Sequence, residues 1–233
     1  MRLAIISDIH SNLEALTEAL TIISAKKIDD IICLGDTLGY GANPRECLSL
    51  VQSVTGHILR GNHDEASVDI SKTEYFNRYA RFAAEWTHKQ LTPEEMEFIK
   101  RLPSSIELYG LLFTHSSPFE PDEWHYIVSY DDAKINFPLF SAPVCFIGHS
   151  HLPGIYCEDR ITRDIVPGKK YIINVGSVGQ PRDNDPRLSF GLFDTETLKY
   201  ENIRAEYDID SAAEKIIKAG LPKSLALRLY DGK

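Results

Sequence analysis

The sequence lacks any long apolar run. Although 43% of its 233 residues are hydrophobic, no run approaches the roughly 18 to 20 apolar residues that a membrane-spanning helix needs. The apolar start of the chain is interrupted by Asp8 and His10. We therefore expect neither a membrane span nor a signal peptide. A chain of this length can bury one sizeable core, which predicts a single domain over residues 1–233.

Cysteine is scarce and unpatterned. The four cysteines show no C-x-x-C spacing, and Cys33 and Cys145 lie inside apolar runs. A reduced thiol in such a position behaves as a small hydrophobe. This pattern argues against a disulfide framework and predicts a cytoplasmic location.

Positively charged residues are also fewer than negatively charged ones. The chain carries 25 Lys and Arg against 34 Asp and Glu, which gives a formal net charge of −9. Because such a field repels polyanions, we expect no long nucleic acid and no membrane among the partners. If the protein handles phosphate, its local positive potential has to come from bound metal ions.

What the sequence does contain is a series of metal-ligand side chains, each placed directly after a short apolar run. The runs that begin at Leu3, Ile31, Ile58, Leu111 and Val144 are typical of buried strands. The clusters that follow them are Asp8-Ile9-His10, Gly35-Asp36, Gly61-Asn62-His63-Asp64, Thr114-His115 and Gly148-His149-Ser150-His151. Ligands of open α/β sheets gather at the carboxyl ends of strands. The clusters therefore predict one metal site built from nitrogen and oxygen donors.

Two details of the clusters favour convergence on one point. Residues i and i+2 of an extended chain face the same way, which would direct Asp8 with His10, and His149 with His151, to a common position. Glycine precedes three of the clusters, as expected where a backbone turns sharply or passes close to an ion.

Helical patterns separate the early strands. Apolar residues recur three and four apart after Asn12, and a second helix is expected to start near Pro44. Strand and helix in alternation predict βαβ units. The pattern is helical again before the fourth cluster, with a new start where Thr92 can cap a helix, which predicts a helical insertion at about residues 73–102.

The motifs D-x-H, G-D, G-N-H-D, a lone histidine and G-H-x-H occur in this order between Asp8 and His151. The chain thereby resembles the calcineurin-like metallophosphoesterase superfamily. Residues 35–44 and 176–183 further resemble a compact bacterial and archaeal group of predicted phosphodiesterases. The resemblance implies an α/β fold, a four-layer αββα sandwich of two mixed β-sheets flanked by helices, with the metals at one edge between the sheets.

The resemblance also implies which side chains hold two divalent ions. The first ion would be bound by Asp8, His10, Asp36 and His151. The second would be bound by Asp36, Asn62, His115 and His149. Asp36 would then bridge the two. Manganese, iron, zinc and nickel all suit this donor set, so the sequence leaves the metal open.

The implied chemistry is hydrolysis of a phosphate ester. Two divalent ions about 3.5–4 Å apart would share a bridging hydroxide placed for in-line attack on phosphorus. With two aspartates and this hydroxide the centre carries about +1, which suits a phosphodiester monoanion. The departing alkoxide needs a proton. The resemblance indicates His63 as the general acid, with Asp64 orienting it or stabilising its imidazolium form.

Differences from the motifs of related enzymes narrow the range of expected substrates. Protein phosphatases of the superfamily carry G-D-x-x-D-R-G and G-N-H-E, whereas here Asp36 is followed by T-L-G-Y-G, and His63 by Asp64. This argues against a protein phosphatase and favours a small phosphodiester as substrate. A phosphomonoesterase or a dinucleoside polyphosphate hydrolase with the same metals is the alternative. A non-catalytic protein-binding scaffold is a third hypothesis, and an oligomer is possible.

Three features stay open. The loop 119–130 is aromatic and acidic, and its rings either pack it onto the domain or stack a flat leaving group. Aromatic residues from Tyr75 to Trp86 recur at helical spacing, which predicts a packing face, with a lid or a dimer contact as the alternative. Arg182 either touches the substrate or pins its own turn.

Overall fold

In the computed structural model, which describes residues 1–161 and 164–233, two β-sheets face each other and helices cover their outer surfaces. The four-layer αββα sandwich predicted from the motifs is thus confirmed. The strands are β1 (Arg2–Ile6), β2 (Asp30–Cys33), β3 (His57–Ile58), β4 (Ser105–Leu108), β5 (Leu111–Thr114), β6 (Val144–Ile147), β7 (Gly154–Cys157), β8 (Arg160–Ile161), β9 (Tyr171–Asn174), β10 (Leu188–Asp194) and β11 (Lys199–Ala205).

The helices follow the predicted alternation with the early strands. They are α1 (Leu13–Ser24), α2 (Pro44–Val54), α3 (Asn62–Val68), α4 (Arg78–His88), α5 (Pro93–Lys100), α6 (Tyr130–Asn136), α7 (Ile209–Lys218) and α8 (Lys223–Asp231). Short 3₁₀ helices cover Ile70–Thr73, Pro121–Glu123 and Phe137–Leu139. In the described parts of the chain, no helix is long and apolar enough to cross a membrane. All four cysteines are free and buried.

Each sheet is mixed and has parallel strands at its centre. The first sheet has the order β11-β10-β1-β2-β3, with β1 parallel to β2 and antiparallel to β10. The second has the order β4-β5-β6-β9-β7-β8, with β6 parallel to both β5 and β9. Parallel neighbours end at the same edge, and this brings the predicted clusters together.

The core lies between the sheets and on both of their outer faces. Leu3 and Ile5 of β1 are fully buried between the sheets, in contact with a cluster that includes Phe113 and Phe146. The alternate residue Ala4 faces outward towards α1. Each large apolar side chain buried this way contributes on the order of 1.5–3 kcal/mol, which helps the fold to tolerate a buried polar cluster at its edge.

Local sequence signals set the helix starts. The Asn12 side chain accepts a hydrogen bond from Ala15 N and caps α1. Thr92 and Glu95 form a capping box at α5, with Pro93 at the first helical position, as the sequence predicts.

The predicted insertion at residues 73–102 contains α4 and α5. Small residues of α4, Ala80 and Ala83, pack against α7 and α8. The predicted packing face is confirmed in part. It is formed by Phe76, Tyr79 and Trp86, which pack against the same cluster, but it does not extend back to Tyr75, because α4 begins only at Arg78. Tyr75 is 93% exposed and Phe82 is 46% exposed.

Candidate metal centre

The ends of strands from both sheets bring the predicted ligands together. Six of the seven form two groups of three, and within each group the ligand atoms lie within 4.8 Å of one another. The first group is Asp8, His10 and His151, and the second is Asp36, His115 and His149. The sheet edge thus carries two adjacent sites, each large enough for one ion.

Asp36 lies between the two groups. Its Oδ2 is 3.6 Å from His10 Nε2 of the first group and 3.5 Å from His115 Nε2 of the second. Its Oδ1 accepts a hydrogen bond from the N–H of His63 at 2.8 Å. This bond holds the start of α3, and with it Asn62, beside Asp36. One carboxylate oxygen facing a histidine of each group is the geometry expected of a bridging ligand.

Backbone carbonyls fix the orientation of the histidines. The Nδ1 atoms of His10, His115 and His151 lie 2.9, 3.0 and 2.5 Å from carbonyl oxygens. Since a carbonyl only accepts, each Nδ1 carries a proton, and each Nε2 is the atom that would bind a metal once it is unprotonated. His149 is reversed, because its Nε2 donates to the carbonyl of Trp124 at 2.9 Å and leaves Nδ1 free for the second group.

Three atoms of the predicted ligands are buried without a hydrogen-bond partner among the described residues. They are Asp8 Oδ1, Asn62 Oδ1 and His115 Nε2. A buried group left in this way costs about 1–3 kcal/mol, and a cation satisfies such lone pairs where a protein donor does not. The residues therefore fit a pair of divalent metals.

The charges of the site suit metal binding as well. Burial raises the pKa of Asp36, but the neighbouring His115 outweighs this and holds that pKa well below its usual range. Burial lowers the pKa of His115, but Asp36 raises it to about 9. Burial lowers the pKa of His149 to about 3 and that of His10 well below its usual value. The aspartate is thus ionised and two of the histidines are neutral, which are the states that bind cations.

Five of the predicted ligands have a strained backbone conformation. Asp8, His10, Asp36, His149 and His151 have φ values of 53°, 49°, 50°, 64° and 61°, in the left-handed region that costs a non-glycine residue about 1–3 kcal/mol. Asp8 and His10 do converge on the first group as predicted, but not along an extended chain, and the predicted convergence of His149 with His151 is wrong because they belong to different groups. The side chains of Asp8 and His10 converge because the backbone curls back after β1. Asp and His are residue types enriched in this conformation.

Glycines before the clusters allow the strand ends to touch. A Cβ on Gly61 would lie 2.2 Å from Asp36 Oδ1, and one on Gly148 would lie 2.4 Å from Asp8 Oδ2. Both distances are far below van der Waals contact. The glycine backbones therefore do pass close to the site, as predicted, but the atoms that they approach belong to the predicted ligands.

His63 lies beside the first group and belongs to neither. Its ring meets His10 edge-on at 5.0 Å and packs against Tyr40 at 4.4 Å and Phe76 at 4.6 Å. It is 5% exposed, and its Nδ1 has no hydrogen-bond partner. Burial lowers the pKa of this imidazole to about 4.

Asp64 makes different contacts from those expected. Its two oxygens accept hydrogen bonds from Leu38 N and Gly61 N, both at 3.0 Å. Burial raises the pKa of the Asp64 carboxyl to about 7. Among the described residues no hydrogen bond joins it to the His63 ring. It fastens the loop after β2 to the start of α3, and its role as the partner of His63 stays a prediction.

The loop 119–130 reaches the centre. The ring of Tyr126 stacks on His149 at 4.0 Å, and the ring of Trp124 meets His115 edge-on at 5.8 Å. Its rings therefore pack against predicted ligands. The contact of Tyr40 with His63 is a further feature that local sequence does not reveal, since it depends on the path of the loop after β2.

Comparisons with known proteins agree with this site. The model of the calcineurin-like phosphoesterase superfamily domain matches residues 1–198, and the chain belongs to this superfamily. It is 41% identical over 244 residues to the uncharacterised protein MJ0912 of Methanocaldococcus jannaschii, covering 99% of this chain and 98% of that protein.

Solved structures give the same result. A metallophosphoesterase from Sphaerobacter thermophilus is 40% identical, with a TM-score of 0.89 and full coverage of both chains. The hypothetical protein PH1004 of Pyrococcus horikoshii shares the fold, with a TM-score of 0.85 at 21% identity, over 100% of this chain and 98% of that one. The predicted family is confirmed, and superfamily and site together support metal-dependent hydrolysis of phosphate esters.

Proposed function

We propose that the protein hydrolyses small phosphodiesters at a dinuclear centre, with His63 as the general acid. One observation carries the proposal. Two ligand groups meet at Asp36, and a single motif histidine, His63, lies against them without belonging to either.

The metals and the protein have separate tasks. Two divalent ions would supply an activated water and neutralise charge on the phosphoryl group. Asp8, Asp36 and the neutral histidines would hold them, with Asn62 adding an amide oxygen. Manganese, iron, zinc or nickel fits these donors.

His63 would protonate the departing alcohol from its imidazolium form, which the negative charge of a bound phosphate ester would favour against the effect of burial. Tyr40 and Phe76 hold its ring in place, and its buried Nδ1 makes no hydrogen bond to the described part of the protein. A positioned acid of this kind contributes roughly 10²–10⁴-fold to the rate. The need for it is greatest when the leaving group is a poor one.

A second candidate function, phosphomonoester hydrolysis, is favoured by Arg182. This part-buried guanidinium hydrogen-bonds the Gln180 side chain at 3.0 Å and has no carboxylate partner among the described residues. Its charge lowers the pKa of both His63 and His151. An added positive charge beside the centre would suit a dianionic ester as well as a monoanionic one.

A substrate panel tests the proposal. Metal-free protein would be loaded with each of the four metals and assayed on bis(p-nitrophenyl) phosphate, p-nitrophenyl phosphate and dinucleotides, with a chelator control. We expect metal-dependent activity with the highest kcat/KM on diesters. A preference for monoesters or for pyrophosphate links contradicts the diester assignment, and metal binding without hydrolysis favours a scaffold. The predicted cytoplasmic location, which fits the free cysteines, is checked by cell fractionation.

A further inference from the structure

A cleft with a volume of about 430 Å³ opens beside the metal centre. Asn62, a predicted ligand, lines it, and this residue is 9% exposed with an Oδ1 that has no hydrogen-bond partner. Tyr75 and Phe76 line it from the segment before α4, and Trp124 lines it from the loop between β5 and α6. The cleft therefore combines aromatic walls with one predicted ligand, Asn62, in its lining.

The cleft lies next to the proposed general acid. Phe76 lines it and also packs against the His63 ring at 4.6 Å. Trp124 lines it, and its carbonyl accepts the hydrogen bond of His149. In hydrolysis the water oxygen bonds to phosphorus and the bond from phosphorus to the alcohol oxygen breaks. That oxygen takes the proton of the His63 imidazolium, and the proton lost by the water passes into solvent, from which His63 is protonated again. The departing alcohol must then lie near His63, and this cleft, which the Phe76 side chain separates from the His63 ring, is a neighbouring space that would receive it.

The cleft is rich in carboxylates. Its lining includes Glu65, Glu74, Asp122 and Glu123 against one cation, Lys72. Two of these carboxylates are neutralised in part, since Arg60 lies 3.3 Å from Asp122 and 3.8 Å from Glu65. For Glu74 and Glu123, the structure gives no ion pair within residues 1–161 and 164–233. A negative surface thus surrounds the aromatic rings.

This composition selects the charge of the leaving group. A second phosphate or a carboxylate would be repelled by the glutamates. An organic cation would be attracted by them and by the faces of the tyrosine and tryptophan rings, which bind ammonium groups through their negative π surfaces. Tyr75, which is 93% exposed, offers such a face without any rearrangement of the core.

We propose that this cleft binds an alcohol that carries an amine or a quaternary ammonium group. The substrate class is then a phosphodiester with a cationic alcohol as its leaving group. This inference rests on the proposed function, since it assumes that the neighbouring centre cleaves phosphate esters.

Two isosteric esters test it. Methyl choline phosphate and methyl 3,3-dimethylbutyl phosphate differ only in a positively charged nitrogen against a neutral carbon. Formation of methyl phosphate would be followed by phosphorus NMR with metal-loaded protein. We expect kcat/KM to be about tenfold higher for the cationic ester. The double variant Glu74→Gln, Glu123→Gln should bring the ratio close to one.

A matched control separates the cleft from net charge. Glu85→Gln, Glu214→Gln removes two exposed glutamates outside the cleft lining and should keep the wild-type ratio. A wild-type preference for the neutral ester, or a ratio that the cleft variant leaves unchanged, overturns the inference.

Binding gives a readout that does not depend on hydrolysis. In a Trp86→Phe background, Trp124 is the remaining tryptophan, and its fluorescence would report a choline titration. We expect a saturable change that weakens several-fold in the Glu74→Gln, Glu123→Gln variant. If every ester resists the metal-loaded protein, the proposed function fails, and this titration still decides the inference. Absence of saturable binding overturns it.

Discussion

Two regions border the metal centre, and they differ in charge. On one side, the Arg182 guanidinium lies 5.8 Å from the ring of Tyr40 and has neutral hydrogen-bonding partners. On the other, the cleft carries Glu74 and Glu123 beside Trp124, and neither carboxylate has an ion pair within the described ranges 1–161 and 164–233. The centre is thus flanked by a cationic side and an anionic side in a chain whose net charge is −9.

This difference in charge would orient a bound substrate. The phosphoryl group would face the arginine and the metals, and the leaving alcohol would face the carboxylates. The net charge of the chain does not reveal this separation of positive and negative charge around the site. Positive potential would then come from arginine as well as from metal ions, because Arg182 and Arg228 lie 5.8 and 5.7 Å from the Tyr40 ring, where charges act over a few ångströms with little screening.

The largest effect is expected from a substitution that disrupts the metal centre between the two sides. Asp36→Asn takes one negative charge from the position between the groups and should lower metal affinity by more than about 100-fold, with nearly complete loss of activity. Elemental analysis of dialysed protein and kcat/KM measure the two losses. Asp131→Asn on the exposed side of α6 is the control. Full metal content together with full activity would contradict the bridging role of Asp36.

The next effect belongs to the anionic side. His63→Ala should slow hydrolysis of alkyl diesters by roughly 10²–10⁴-fold and that of nitrophenyl esters far less, because a good leaving group departs without a proton. Rates on a series of leaving groups give the dependence. Equal losses along the series would remove the general-acid role and would leave the cleft without the proton donor that the comparison assigns to it.

A smaller effect belongs to the cationic side. Arg182→Gln should raise the inhibition constant of inorganic phosphate and the KM of substrates by about tenfold or more, since hydrogen bonds to charged groups contribute about 1.5–3 kcal/mol. Arg187→Gln is the matched control, because Arg187 belongs to the same turn but is paired with Asp185 at 2.6 Å. If Arg182→Gln changes the preference between the cationic and neutral esters instead, the division into two sides fails.

The centre could be predicted from the sequence because its signals are local. Asp8, Asp36 and His115 each follow an apolar run in the sequence. Parallel strands end at the same edge of a sheet, so these residues are expected to lie together. The flanking sides could not be predicted, because Tyr40, Trp124 and Arg182 meet the site through loops whose paths depend on packing between distant segments. The left-handed backbone at five ligands was also missed, although the residue types permit it.

The smallest expected effect concerns Asp64, which links the two sides through the backbone. Its carboxylate ties Leu38 to Gly61, so it fixes Tyr40 on one side relative to His63 on the other. Asp64→Ala leaves two buried N–H groups without acceptors and should reduce the free energy of unfolding by about 1–3 kcal/mol, measured by urea denaturation of metal-free protein. Asp208→Ala, at the exposed cap of α7, should cost less. If Asp64→Ala instead keeps its stability and reproduces the leaving-group dependence of His63→Ala, Asp64 acts through the His63 ring, as the sequence predicts, and the backbone link is secondary.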